Sequence, residues 1–270
     1  MAYKTILVHC DASRSAARHM AVAAELTERF DANLVGLHAR LPFASPVYYD
    51  AGVPLGPLFD AYEESTKADQ ATAEATFAKA VKGKHLATEW RVVDGFPDGE
   101  LPLSARYADL VVVGQADNEN RTPTPGDLPE VVALATGRPV MVVPHIGAAT
   151  PPGKIVMLCW NASRESARAA ADALPFLETA ERVIVLIVDP VVSPRGHGEE
   201  PGAEVALWLA RHGVKVTVQR ESAVDTEVGE LILSCAADYG VDLIVMGIYG
   251  HSRLREMVLG GASRTLLSSM

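Results

Sequence analysis

The sequence repeats itself. Lys4–Arg18 reads KTILVHCDASRSAAR and Lys154–Arg168 reads KIVMLCWNASRESAR, an offset of 150 positions. Six positions of these two fifteen-residue stretches are identical, and the apolar pattern agrees at most of the others. A second echo, ADLVVVG at Ala108–Gly114 against VDLIVMG at Val241–Gly247, has an offset of 133. The shorter offset implies a longer middle loop in the first half. Two homologous domains in one chain explain both echoes. The stretch PHIGAATPPGK, Pro144–Lys154, is rich in Pro, Gly and Ala. It separates a first domain, residues 1–147, from a second, residues 152–270.

Within each half, apolar strand patterns alternate with helical ones. In the second half the spacing predicts strands at Lys154–Cys159, Arg182–Val188, Val214–Gln219 and Asp242–Met246. It predicts helices at Ser163–Leu177, with Ser163 as N-cap, and at Ala203–His212, Glu227–Tyr239 and Gly261–Ser268. The first half has strands near Lys4–His9, Asn33–Ala39, Ala87–Val93, Asp109–Val113 and Pro139–Val143. Nearly continuous apolar strands joined by helices mean a parallel sheet covered on both faces. The first half closes with a fifth strand in RPVMVVP. The second runs to TLLSSM without an equivalent: either the chain is trimmed at its C-terminus or the last domain lacks a closing strand, and the sheet edge there is expected to be exposed or covered by a partner.

Net charge and cysteines narrow the function. A formal charge of −10 excludes a broad nucleic-acid face. It leaves room for a local phosphate pocket built from backbone N–H groups. Cys10, Cys159 and Cys235 lack metal-type spacing and read as buried, reduced thiols. No signal peptide or membrane-length apolar run is visible, so the expected setting is cytoplasmic, with no membrane partner.

After the strand DLIVM comes GIYGHSRLREMVLGGASRTLL. Gly247, Gly250 and Gly260 fall at G-x2-G-x9-G spacing, followed by Gly261 and Ser263. Two readings stand side by side. In one the glycines serve turns and close packing. In the other Gly247 and Gly250 let the backbone turn sharply against a ligand. Gly260 and Gly261 then open a helix whose unpaired N–H groups cradle phosphate. His251 and Ser263 supply side-chain hydrogen bonds, and Arg253, Arg255 and Arg264 supply charge. CWNASRE follows the first strand of this half, where a dinucleotide fold would carry G-x-G-x-x-G. No G-x-x-x-x-G-K-[ST] occurs, which excludes a P-loop.

VMGIYGHSRLREMVLGGASRTLL resembles the ATP-binding segment of universal stress proteins, whose pattern is G-x2-G-x9-G-[ST]. KIVMLCWNASRESARAA resembles that family's opening strand and first helix. The resemblance covers both halves. It implies two tandem doubly wound α/β domains, each with a parallel sheet in the order 3-2-1-4-5, the second lacking its last strand. It implies an adenine nucleotide, ATP or AMP, with magnesium as an optional companion, where strand order reverses. It places Asn161 at the family's acidic position, Val188 beside adenine, and the glycines on phosphate and ribose. Two departures stand out. Gly261 replaces the Ser or Thr after the third glycine, with Ser263 two residues later. Asn161 keeps hydrogen bonding but removes a charge.

The first domain keeps Asp11, Ser13 and Gly114 and then reads GQADNENRTPTPGDLPE. Asp117 replaces the second glycine, and a carboxylate there repels phosphate. Pro123, Pro125 and Pro129 are expected to break the loop and helix. This half reads as a built-in dimer partner rather than a second ATP site. His9 and His38 read as structural histidines, and His197–Glu200 (HGEE) as a solvated loop rather than a metal site. Asp225 and Glu227 fit helix-cap and dipole roles. Leu41–Asp60 reads as a loop of the length that meets a partner. No nucleophile–base pair marks a catalyst. The expected function is a stress-response regulator with an unknown protein partner, acting as an intramolecular domain pair or a homodimer, with at most slow ATP hydrolysis. A protein-interaction module without nucleotide is the alternative.

Overall fold

The computed structural model of the chain describes residues 2–43, 55–115, 128–147, 151–190, 197–248 and 261–270. The chain divides into two compact units, Tyr3–Ala149 and Thr150–Met270. The first holds β1 (Thr5–His9), α1 (Ala16–Phe30), β2 (Asn33–Arg40), α2 (Leu55–Val81), β3 (Ala87–Asp94), α3 (Pro97–Ala105), β4 (Leu110–Gly114), α4 (Leu128–Ala135) and β5 (Val140–Val143). The second holds β6 (Ile155–Cys159), α5 (Arg164–Asp172), α6 (Leu174–Leu177), β7 (Arg182–Val188), α7 (Ala203–Arg211), β8 (Val216–Glu221), α8 (Val228–Tyr239), β9 (Leu243–Met246) and α9 (Gly261–Ser269).

The first sheet has five strands in the order β3-β2-β1-β4-β5, and the second has four in the order β8-β7-β6-β9. Every pairing is parallel. Among the described residues the second sheet has no fifth strand. The inner strands β1, β4, β6 and β7 are largely apolar because both sheet faces are buried there, whereas the margin strands β3 and β8 carry charged residues and are more exposed. Val156 and Leu158 of β6 pack with Ala170, Leu177, Val205 and Leu209. Met157, between them, points the other way and packs with Ile232, Cys235 and Leu266. In the first unit Leu7, Val35, Leu37, Val111 and Val113 pack against Leu101, Leu128 and Val132.

The ADL and VDL echo has a structural cause. Asp109 ends just before β4, and its Oδ2 accepts from the N–H groups of Lys4 at 2.8 Å and Thr5 at 2.9 Å. Asp242, just before β9, accepts from Gly153 at 2.9 Å, Lys154 at 3.0 Å and Ile155 at 3.2 Å. Each carboxylate clamps the head of the central strand, whose first amides lie beyond the ladder and need an acceptor. Asp242→Ala leaves three amides without their charged partner, and the expected cost is about 2 kcal/mol. A urea titration followed in the second unit checks this. An unchanged midpoint would mean that solvent replaces the clamp at no cost.

Four expectations are corrected. The stretch Leu41–Asp60 is not loop to its end, since α2 starts at Leu55; Pro57 falls in the first helical turn, where a missing N–H costs nothing. Residues 44–54 of that stretch lie outside the described residues. The helix expected over Ser163–Leu177 divides at Ala173, because Pro175 supplies no N–H for the bond that would continue it. Strand β8 begins at Val216 rather than Val214, and Val214 is a buried core residue ahead of it. Pro129 does not break a helix. It sits second in α4, a position that tolerates proline. Asp117, Pro123 and Pro125 lie outside the described residues.

Candidate functional site

The chain order of the second sheet reverses between β6 and β9, whose C-terminal ends lie side by side with Cys159 opposite Met246. A crevice of this kind is where ligands enter open α/β sheets. The turn leaving β6 is held from within. Asn161 Oδ1 accepts from the Ser163 N–H at 3.2 Å, and Ser163 Oγ accepts from the Ser166 N–H at 3.1 Å. Ser163 is thus the N-cap of α5, as its sequence position predicts. Ala162 between them holds a left-handed backbone at φ +57, a conformation that costs an alanine about 1 kcal/mol. Asn161 itself is exposed.

Gly247 follows β9 and meets the same turn. A Cβ there would lie 2.4 Å from the Glu165 carbonyl carbon, 2.6 Å from the Glu165 oxygen and 2.6 Å from the Ser166 nitrogen. All three are backbone atoms of the first turn of α5. Gly247 is therefore required by a close approach of strand end and helix start, and this is the packing reading of that glycine. Val188, at the end of β7, and Ala262, in the first turn of α9, both pack against the buried cluster of Met157, Leu186, Ile232, Cys235, Ala236 and Leu266. Gly261 is exposed, with nothing within 4 Å of a Cβ built on it. Ser263 is buried.

The structure thus brings Gly247 against the start of α5, just after the turn that Asn161 and Ser163 form, and sets Val188 and the first turn of α9, with Gly261 exposed and Ser263 buried, on one hydrophobic cluster. Gly250, His251 and Gly260 lie outside the described residues, as do Arg253 and Arg255. The thiol of Cys159, at the floor of the corner, is pushed up to about 12 by burial and by the Cys235 thiol, so it is not a nucleophile at neutral pH. No cysteine is in a disulfide. Among the described residues no group of three or more His, Cys, Asp or Glu side chains is arranged to hold a metal. Glu227 stands at the N-cap of α8 but accepts no cap hydrogen bond, and Asp225 holds a left-handed backbone at φ +66.

The matching corner of the first unit is built differently. Asp11 and Ser13 repeat the turn, with Asp11 Oδ1 accepting from the Ser13 N–H at 3.0 Å and its hydroxyl at 2.5 Å. The corner is then filled by imidazoles. His9, His19 and His38 are 3%, 2% and 6% exposed. His19 Nε2 lies 2.8 Å from the His9 carbonyl oxygen, and His38 Nδ1 lies 2.8 Å from that of Cys10. A Cβ on Gly114 would lie 2.7 Å from His19 Nδ1. At the equivalent positions the second unit carries Cys159 and Ala169, which are smaller. His9 and His38 are structural, as their positions imply. His19 carries no sequence mark, since its only signal is a place on the inner face of α1 beside Met20 and Ala23.

Burial lowers the pKa of His9 to about 4, a shift that Asp11 opposes and His19 and His38 increase. Burial likewise lowers His19. Burial works to raise Asp11, but His9, His19 and two hydrogen bonds from Ser13 outweigh it and hold the carboxyl below its ordinary value. Its Oδ2 lies 3.9 Å from His9 Nδ1.

Comparison with known proteins agrees with this architecture. A universal stress protein from Archaeoglobus fulgidus matches with a TM-score of 0.72 at 15% identity, over 98% of this chain and 93% of that one. A universal stress protein from Pseudomonas aeruginosa matches with a TM-score of 0.60 at 13% identity, over 99% and 90%. Another universal stress protein, solved in complex with cAMP, aligns over 53% of this chain and 100% of its own at 24% identity and a TM-score of 0.35. Its ligand is a property of that protein. No curated protein matches. The universal stress protein family matches over residues 2–144 and again over 153–270. The chain belongs to that family and holds two copies of its domain in tandem.

Proposed function

We propose that this chain is a stress-response regulatory protein whose second unit binds an adenine nucleotide, ATP or AMP, at the corner between the ends of β6 and β9. The G-x2-G-x9-G spacing directly after β9 and before α9 carries this reading. Gly247, Gly250, Gly260 and Gly261 supply backbone amides, with the exposed start of α9 facing open space at Gly261. His251 and Ser263 add hydrogen bonds, Asn161 takes the ribose side, and Val188 lies against the base. Magnesium accompanies the triphosphate if ATP is the ligand; Asn161 in the acidic position makes this corner a weaker metal site than a carboxylate would. The first unit, whose corner is filled by His9, His19 and His38, serves as the domain partner. No described helix is long and apolar enough to cross a membrane, and we place the protein in the cytoplasm, acting on a protein partner as a domain pair or homodimer. Hydrolysis is expected to be at most slow, since the sequence offers no specific nucleophile–base pair for this corner.

The packing of Gly247 against α5 favours a second reading, an interaction module of the same fold that takes no nucleotide. Calorimetric titration with ATP and with AMP separates the two. Saturable binding by the wild type, reduced at least tenfold in Gly250→Asp, supports the nucleotide site. An absence of saturable binding by the wild type gives the protein to the second reading.

A further inference from the structure

Sulfur gathers on one face of the second sheet. On β6, Met157 and Cys159 are two residues apart and therefore share a face. Met246 of β9 is the register partner of Cys159, which puts it on the same face one strand spacing away, about 5 Å. Helix α8 brings Cys235 to that face. Met157 and Cys235 belong to one buried cluster, and Cys159 and Met246 both pack against it. The Cys235 thiol is near enough to Cys159 to help push it up. Two thiols and two thioethers thus share one patch, supplied by β6, α8 and β9. Their spacing in the sequence gives no sign of it.

This grouping belongs to the second unit. At the 150-residue offset the first unit carries Leu7 and His9 in place of Met157 and Cys159, and at the 133-residue offset Val113 in place of Met246. Leu7 and Val113 pack together in the matching core, so the fold fills this space without sulfur. The third thiol, Cys10, lies in the first unit, where its Sγ donates to the Val8 carbonyl at 3.6 Å.

Thiolate and thioether sulfur are soft donors, which select copper(I) and suit hard, oxygen-seeking ions poorly. Among the described residues no group of three or more His, Cys, Asp or Glu is placed to hold a metal, which leaves the thioethers as the further donors. The apolar surroundings favour a monovalent ion. Two adjacent thiolates repel each other, whereas a cation between them attracts both, and the attraction grows where water is excluded.

We propose that Cys159, Cys235, Met157 and Met246 form a copper(I) site, with the two thiols as principal ligands and the thioethers as neutral supports. Each thiol passes its proton to solvent as its Cu–S bond forms. The copper stays in the +1 state throughout, so no oxidant or reductant is consumed. None of these four residues is assigned to the nucleotide, and the site stands or falls independently of ATP binding.

The test titrates the full-length protein, without nucleotide and without oxygen, into copper(I) held by bathocuproine disulfonate and follows the loss of the chelate colour. Expected is transfer of one copper(I) per chain, with only sulfur in the first shell by X-ray absorption at the copper edge. Cys159→Ser and Cys235→Ser should each weaken binding by at least about a hundredfold, more than loss of an outer-shell partner costs. Met246→Leu should weaken it by about tenfold, and Cys10→Ser should leave it unchanged. No transfer to the wild type overturns the proposal. So does nitrogen or oxygen in the first shell of the wild type, which is read without any variant. Undiminished binding in Cys159→Ser or Cys235→Ser, or an equal loss in Cys10→Ser, also overturns it.

Discussion

Gly247→Ala is expected to unsettle the second unit by about 3 kcal/mol, at the upper end of the usual cost of overpacking. The added Cβ would sit 2.4 Å from a backbone carbon of α5, and a helix backbone cannot rotate away as a side chain does. Either α5 shifts along β6 or the end of β9 moves outward, and both open the corner where nucleotide is proposed to bind. With a denaturant slope of about 1–3 kcal/mol per molar urea, the midpoint of the second unit falls by about 1–3 M. Gly114→Ala in the first unit provides the comparison. Its Cβ meets the ring of His19, which can turn at the loss of one hydrogen bond, so the expected cost is about 1–2 kcal/mol. Hydrogen exchange resolved by peptide assigns each loss to its unit. Equal, small effects of the two substitutions would show that the approach of β9 to α5 is loose.

Acid is expected to loosen the first unit before the second. His9 ordinarily titrates near 6.5, and burial lowers it to about 4 in the fold. The unfolded chain therefore binds a proton that the folded chain refuses between these values. The stabilising contribution is complete above pH 6.5 and is lost as pH falls towards 4. At about 1.4 kcal/mol per pH unit the loss from His9 alone reaches about 3 kcal/mol. His19, lowered in the same direction by burial, adds to it. Its Nε2 engages the His9 carbonyl, and its Nδ1 is buried without a partner, so the extra proton would have no acceptor. Asp11 is held below its ordinary value and withdraws its own contribution only at still lower pH. Stability measured between pH 7.5 and pH 4.5 should fall steeply in the first unit and flatten in His9→Gln. Parallel profiles for wild type and His9→Gln would contradict a buried neutral imidazole at this position.

The duplication made most of the architecture legible. Once Lys4–Arg18 and Lys154–Arg168 are aligned, each half must supply the same layers, and the described residues show them as parallel sheets of five and four strands. The glycine spacing pointed to the end of β9 and the start of α9, where Gly247 and Gly261 lie among the described residues and Gly250 and Gly260 do not. Other features depend on contacts between distant elements. Gly247 reads in sequence as a turn, and only the approach of α5 shows why it must be glycine. Asp109 and Asp242 look like the polar starts of strands, whereas each clamps a strand more than 80 positions away. His19 fills the first corner from a helix whose other inward residues are apolar. Local composition marked Leu55–Asp60 as loop because of Pro57, although proline in a first turn is no obstacle to a helix.

Nucleotide is expected to lie in the second unit and not in the first. Hydrogen exchange of the full-length protein with and without ATP measures this directly. Slower exchange confined to segments spanning residues 158–168 and 243–264, with residues 9–19 and 111–117 unchanged, is the expected result. Protection of the first corner, or none in either, would contradict it.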